Sequence, residues 1–135
     1  MGWYLVDGPE VGLWAANKLG CGYFEQQSQA IGLKRDDRLI AGVIYENWNG
    51  RAITCHIVIA GRMTPTYLRE VFRYPFVTCG VDKIIAPVSS ANAKAARLVE
   101  NMGFVPEARI TGAAADGDLI FYTLNKHNCR FIYGQ

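Results

Sequence analysis

The sequence lacks the features of a membrane, secreted or nucleic-acid-binding protein. No apolar run reaches the roughly 18 residues needed to cross a bilayer, and the first eight residues have neither the basic start nor the apolar core of a secretory signal. The net charge is only +2 and the basic residues are scattered, which excludes a basic stripe suited to a nucleic-acid backbone. We therefore predict a cytoplasmic protein that binds neither a membrane nor a nucleic acid.

Clustered cysteines are also missing. The sequence contains no CxxC motif and no Cys/His pairing with the spacing of metal ligands, so we predict reduced thiols and no metal site. Cys55 lies in an apolar segment and is expected in the core, where free cysteines are usually found. The four cysteines are Cys21, Cys55, Cys79 and Cys129.

Enough hydrophobic sequence is present for one compact domain. The chain has 135 residues, of which 50% are hydrophobic and 19% charged, as in folded globular proteins and unlike disordered chains. No internal repeat or low-complexity linker divides it, so residues 1–135 are expected to form a single domain.

Hydrophobic periodicity and turn signals predict a mixed α/β (α+β) order of elements. The early strands are expected to form an antiparallel meander and the last two a hairpin, giving a central mixed sheet of about six to seven strands with flanking helices. Strands are expected at 3–6, 29–34, 39–45, 52–60, 84–88, 109–112 and 119–124, and helices over 9–20, 64–78 and 92–102.

The Asn49-Gly50 pair predicts a two-residue type I′ turn between the third and fourth strands. With that turn Tyr45 faces Thr54, so Tyr45 and His56 share one face of the sheet while Glu46 lies on the other. A β-bulge would reverse this arrangement. We favour His56 as a general base with Tyr45 as its neighbour, because histidine titrates near neutral pH, and Glu46 is the rival base.

The segment from Ala52 to Met102 reads as strand, helix, strand, helix, which is a crossover unit with parallel strands. Ligands of such sheets bind at the carboxyl ends of the strands. Gly61-Arg62 and Ser89-Ser90 lie at those ends, and each pair precedes a helix N-terminus that favours an anion. Two such sites facing one crevice suit a ligand with a diphosphate and a long polar tail.

The stretch from Asn92-x-x-Ala95 to Met102-Gly103-Phe104 resembles the N-x-x-A…(L/M)-G-F signature of the GNAT N-acetyltransferase superfamily. The resemblance covers nearly the whole chain, since the strand meander before it and the Gly117-Asp118 hairpin after it also match. The Tyr74-Pro75-Phe76 run and the Cys129-Arg130 end are similar to short phage and prophage members near the ribosomal-protein and small-amine acetyltransferases.

The resemblance implies a GNAT fold, binding of acetyl-coenzyme A between strands 52–60 and 84–88, and direct acetyl transfer to an amine. Strand N–H groups would polarise the thioester carbonyl. Helix N–H groups, with one arginine, would bind the pyrophosphate, and an asparagine would contact the pantetheine arm. The residues expected to contact the cofactor are Ile57, Val58, Arg62, Thr66, Tyr67, Ser90 and Asn92.

Two positions depart from the family's pattern. The segment Gly61–Thr66 has one glycine where the family has a glycine-rich pyrophosphate loop. Val99 stands where many members carry a tyrosine that protonates the leaving thiolate, so another group or water would have that role.

Two alternatives to an enzyme remain open at this point. The fold could serve as a non-catalytic binding module for a protein partner, or as a regulator that binds the cofactor. The acceptor amine is not selected by the sequence: a peptide N-terminus, a lysine, an aminoacyl group and a small polyamine all fit, and a homodimer is left open.

Overall fold

The computed structural model describes residues 2–21, 23 and 27–132. These residues form seven strands and three α-helices, which confirms the predicted mixed fold. The predicted strands at 109–112 and 119–124 are each longer than expected. The elements are β1 (Trp3–Asp7), α1 (Pro9–Leu19), β2 (Gln29–Arg35), β3 (Arg38–Glu46), β4 (Ala52–Ile59), α2 (Pro65–Arg73), a π-helical turn (Tyr74–Thr78), β5 (Lys83–Ser89), α3 (Ala93–Asn101), β6 (Val105–Ala114), β7 (Gly117–Asn125) and a 3₁₀ turn (Lys126–Asn128).

The strands form one sheet in the order β1-β2-β3-β4-β5-β7-β6. Strands β1 to β4 are the predicted antiparallel meander, and β6 and β7 the predicted hairpin. Strands β4 and β5 are parallel, as the crossover through α2 requires. The meander and the β5–β7–β6 group therefore meet at a single parallel pair.

Several helix ends lie at residues that the sequence marks for that purpose. The hydroxyl of Thr64 accepts a hydrogen bond from the N–H of Tyr67 (3.1 Å) at the start of α2, where Pro65 occupies the first turn. Asn92 Oδ1 accepts from the N–H of Ala95 (3.0 Å) at the start of α3. Helix α1 ends at Gly20, whose φ of 72° is in the left-handed region that glycine adopts without strain.

The helices cover the two faces of the sheet separately. Helix α1 packs Ala15 and Ala16 against Ile44 on one face. Helices α2 and α3 cover the other face, where Phe72 and Val99 belong to the main hydrophobic core. Alternate residues of β3 and β4 therefore belong to different environments, and the register of this strand pair decides which side chains meet.

The α2 helix ends earlier than predicted, and a π-helical turn follows it. Pro75 has no N–H group to donate to the carbonyl of Val71, four residues earlier. The hydroxyl of Tyr45 donates to that carbonyl instead (2.6 Å). The N–H of Cys79 then reaches back five residues to the carbonyl of Tyr74 (2.8 Å), which is the π-helical spacing.

The reversal between β3 and β4 differs from the predicted two-residue turn at Asn49-Gly50. The N–H of Asn49 donates to the carbonyl of Ala52 (3.2 Å), so Gly50 and Arg51 are the central residues. The side chain of Asn49 holds this turn, because its Oδ1 accepts from the N–H groups of Arg51 (2.9 Å) and Ala52 (2.8 Å). The turn is shifted by one residue along the chain.

An extra residue on the β3 side then sets the register. Asn47 and Trp48 together oppose Ile53, and beyond them Glu46 pairs with Thr54. Asn47 has a φ of 57°, a conformation that asparagine tolerates better than most residues. Two residues opposite one is the arrangement of a β-bulge, which changes the facing of the strand that follows.

The predicted facing of the catalytic candidates is therefore wrong. Tyr45 pairs with Cys55, and Ile44 pairs with His56, with no further shift along the ladder. Because directly opposed residues share a face, Glu46 lies with His56 and Tyr45 lies on the opposite face. The shift of the turn moves every pairing by two residues and by itself keeps the predicted facing, so the bulge alone reverses it.

Candidate active site

The two parallel strands at the centre of the sheet separate part of the way along their length. The ladder between β4 and β5 runs from Ala52 and Lys83 to Thr54 and Ile85, and then stops. Both strands continue, β4 against β3 and β5 against β7. Pro87 follows in β5 and has no N–H group for a ladder. The sheet therefore opens between the second halves of β4 and β5.

This opening forms a cleft of about 210 Å³ that reaches both faces of the sheet. On one side it is lined by α3 residues, among them Ala95 and Val99, and on the other by Leu19 and Cys21 at the end of α1. Cys55 and His56 of β4 line the same cleft. A ligand threaded through it would contact residues on both faces of the sheet.

The side chains of His56 and Glu46 form a hydrogen-bonded pair beside this cleft. The Nε2 atom of His56 lies 3.0 Å from Oε2 of Glu46, and the side chains are 22% and 25% exposed. Both are thus shielded from bulk water without being sealed from a ligand. Sequence reasoning treated these two residues as rivals, whereas the register brings them together.

Tyr45, the predicted neighbour of His56, is not part of this pair. It is 2% exposed and its hydroxyl is bonded to Val71 under α2. Burial raises the pKa of Tyr45 well above its ordinary value of 10.0, and the nearby Tyr67 and Cys55 add to this. The phenol therefore stays protonated as a hydrogen-bond donor in the core.

Ile57 and Val58 lie in the part of β4 that has left β5. Successive N–H groups of a strand point to opposite edges, so one of these two faces the cleft and the other faces β3. The side chain of Val58 packs toward Ile44 under α1, whereas Ile57 lines the cleft. The contact of these two residues with a cofactor stays a prediction.

The predicted pyrophosphate site at the start of α2 is partly used by the protein itself. The N–H of Tyr67 is bonded to Thr64, and the Tyr67 hydroxyl donates to the carbonyl of Ile31 (2.9 Å). Tyr67 is thus a core residue whose N–H group is already bonded in the helix cap, and its contact with a phosphate stays a prediction. Arg62 and Thr66 are exposed beyond the end of β4.

Ser90 and Asn92 differ in their relation to the cleft. The Ser90 hydroxyl accepts from the N–H of Asp118 (2.9 Å), and a Cβ on Gly117 would lie 2.5 Å from it, so Ser90 anchors the β6–β7 hairpin. Ser89, rather than Ser90, lines the cleft. Asn92 both caps α3 and lines the cleft, so the structural and the ligand-binding interpretations of this residue are compatible.

Two thiols near the cleft have different environments. Burial raises the pKa of Cys55 to about 12. Cys21 is exposed, and its pKa is raised by desolvation and then by the negative charge of Glu46. Sequence reasoning did not place Cys21 in the site, although its position directly after the Gly20 helix stop was a usable signal.

Among residues 2–21, 23 and 27–132, no group of three or more His, Cys, Asp or Glu side chains is placed to hold a metal ion. Within the same ranges, no helix has the length and apolarity needed to span a membrane.

Solved structures of acetyltransferases share this architecture. A chimera of the Vibrio cholerae spermidine N-acetyltransferase SpeG and hSSAT superimposes with a TM-score of 0.74 at 17% identity, over 98% of this chain and 99% of that chain. A dodecameric spermidine N-acetyltransferase from Vibrio cholerae gives 0.70 at 18% identity, covering 92% and 94%. A probable acetyltransferase gives 0.64 at 20% identity, covering 75% and 62%.

No family model and no curated protein matches the sequence. The structural likeness, with identities of 17–20%, establishes the fold. The chain has the fold of the GNAT N-acetyltransferases, which confirms the fold expected from the Asn92-to-Phe104 signature.

Proposed function

We propose that the protein is an N-acetyltransferase that moves the acetyl group of acetyl-coenzyme A directly to a primary amine. The observation that carries this proposal is the cleft between β4 and β5, which His56 lines while its Nε2 is paired with Glu46. The fold supports it, since the similar solved structures include spermidine N-acetyltransferases.

The residues present fit the narrow arm of the cofactor. The cleft, at about 210 Å³, suits a slender uncharged chain such as pantetheine and leaves the nucleotide outside. Ala95 and Val99 give it an apolar wall, and Asn92 gives an amide at its mouth. Arg62, exposed beyond β4, supplies a positive charge where the phosphates would lie.

His56 would act as the general base. When Nε2–H donates to Glu46, the tautomer is fixed and the lone pair of Nδ1 can accept the proton of the amine, directly or through water. Glu46 would stabilise the imidazolium that forms, as a carboxylate does beside a catalytic histidine. Glu46 is thus a positioning residue rather than a rival base.

The remaining groups would act on the thioester that acetyl-coenzyme A supplies. Whichever of the Ile57 and Val58 N–H groups faces the cleft would donate to the thioester carbonyl oxygen, where negative charge develops. Val99 offers no proton donor, so the proton for the leaving sulfur would come from water.

Thermal denaturation with coenzyme A tests this proposal. Coenzyme A should raise the Tm, because a ligand that binds only the folded state stabilises it. Arg62→Ala should weaken coenzyme A binding by about 10-fold or more and leave pantetheine binding unchanged, since a charged hydrogen bond contributes roughly 1.5–3 kcal/mol. No Tm shift at millimolar coenzyme A would contradict the proposal and favour the binding module. A shift without acetylation of any amine in a broad panel would favour the regulator.

A further inference from the structure

A second depression, separate from the cleft, lies where β2 begins and β3 ends. Two adjoining hollows of about 420 and 450 Å³ share Gln27, Ser28, Glu46 and Trp48, and together we call them the acceptor groove. Glu46 therefore contacts this groove while its carboxylate is bonded to His56, which lines the cleft. A molecule in the groove would lie one side chain away from the cleft.

The groove carries a single charge. Among the described residues that line it, Glu46 is the one ionisable carboxylate, and no lysine or arginine is present. Gln27 and Asn47 add neutral amides. Such a lining attracts one positive charge and offers, in the part of the chain that the structure describes, no second anion to a ligand with several.

The groove also holds a buried polar group without a partner. Ser28 is 5% exposed, and its hydroxyl has no hydrogen-bond partner among the described residues. Leaving a buried hydroxyl unpaired costs about 1–3 kcal/mol, so such groups need an explanation. A ligand polar atom in the groove would satisfy it.

The rest of the lining is aromatic. Trp48 is 60% exposed at the rim, although indoles are usually buried. Tyr74 of the π-helical turn lines the wall, and its ring lies 5.0 Å from that of Tyr45. A π-helical segment is rare and often occurs at functional sites. These rings suit a flat, uncharged body.

From these observations we propose that the acceptor groove binds a small primary amine with one positive charge and an uncharged aromatic body. The ammonium lies beside Glu46, the ring lies against Trp48, and a polar atom pairs with Ser28. The assignment rests on the proposed acetyl transfer for its role, and it differs from a polyamine site because a polyamine needs several anions.

Calorimetric titration of the full chain tests this, with tyramine and spermidine as probes, with and without coenzyme A. Tyramine should bind about tenfold more tightly than spermidine. Trp48→Ala should weaken tyramine binding about fivefold, the size of one aromatic pair. Ser28→Ala should weaken it by a similar factor and raise the Tm, because an unpaired buried hydroxyl is removed. Trp3→Ala, which removes an exposed indole of β1, is the matched control and should leave tyramine binding unchanged.

Equal or tighter binding of spermidine would overturn the assignment, as would unchanged tyramine binding in both groove variants. The experiment distinguishes a failure of the groove assignment from a failure of the proposed acetyl transfer. If coenzyme A does not bind while tyramine binding keeps its dependence on Trp48 and Ser28, the proposed function is wrong and the groove assignment stands.

Discussion

Each face of the β3–β4 pair carries two titratable side chains, and the two pairs differ in their burial. On one face Tyr45 and Cys55 lie under α2 and α3, 2% and 3% exposed, with the tyrosine hydroxyl bonded to a helix carbonyl. On the other face Glu46 and His56 are paired with each other and remain about a quarter exposed. Neighbours in sequence thus have separate roles, one pair holding the core and the other available to a ligand.

The difference shows that the reactivity of a side chain in this protein depends on which face of the sheet it occupies rather than on its residue type. A tyrosine and a cysteine are common catalytic groups, yet burial raises the pKa of both here and their side chains face the core. Four measurements, described in order of expected effect, test this contrast.

The largest difference is expected between the thiols of the two faces. Cys21 should react with N-ethylmaleimide while Cys55 should not. The rise of the Cys55 pKa from 9.0 to about 12 alone lowers its thiolate fraction about 10³-fold. Site-resolved mass spectrometry would measure both rates. Coenzyme A should slow the labelling of Cys21, which lines the cleft. Rapid labelling of Cys55 in the folded protein would show that the core face is open.

His56→Gln should lower kcat by on the order of 10²-fold, the usual contribution of one general base. Binding of coenzyme A should stay nearly intact, because the cofactor contacts lie elsewhere along the cleft. Steady-state kinetics with acetyl-coenzyme A and tyramine, together with calorimetry for coenzyme A, would separate the two effects. Unchanged turnover would show that His56 is not the general base.

Glu46→Gln tests whether Glu46 positions His56 for catalysis. The loss of a partly exposed ion pair, about 1 kcal/mol, should lower kcat about fivefold. A purely structural role for Glu46 would lower the Tm and leave kcat per folded molecule unchanged.

The smallest effect is expected on the core face. Tyr45→Phe removes one buried hydrogen bond, and the free energy of unfolding should fall by about 1 kcal/mol, a few degrees in Tm. Turnover per folded molecule should not change. Tyr4→Phe is the matched control, because its hydroxyl contacts Asp37 at the surface (3.2 Å) and should contribute nothing measurable. A large loss of turnover in Tyr45→Phe would show that the Tyr45 hydroxyl takes part in the reaction.

Much of the fold could be predicted because its signals are local. A few adjacent residues determine the helix caps at Thr64 and Asn92 and the helix stop at Gly20. The strand β6 was predicted too short because it is an edge strand: its residues are exposed nearly throughout, so no hydrophobic alternation marks its ends.

The site was predicted less well because it depends on register. A bulge at Asn47 has no clear local signal, yet it decides which face each side chain occupies, because the one-residue shift of the turn by itself keeps the predicted facing. Ser90 and Tyr67 were assigned to the cofactor from their positions at strand and helix ends. The sequence does not reveal that Ser90 is bonded to Asp118, or that Tyr67 is bonded to Thr64 and Ile31.

By itself, the sequence determined the order of helices and strands, the helix ends and the Asn92-to-Phe104 signature, because propensity, capping and hydrophobic period act over a few residues. Only the tertiary structure decided that β4 and β5 separate after Thr54, that His56 meets Glu46, and that Ser28 is buried with no hydrogen-bond partner in the described part of the chain. These features arise between segments far apart in the chain, where packing and the satisfaction of hydrogen bonds choose among registers that the local sequence permits equally.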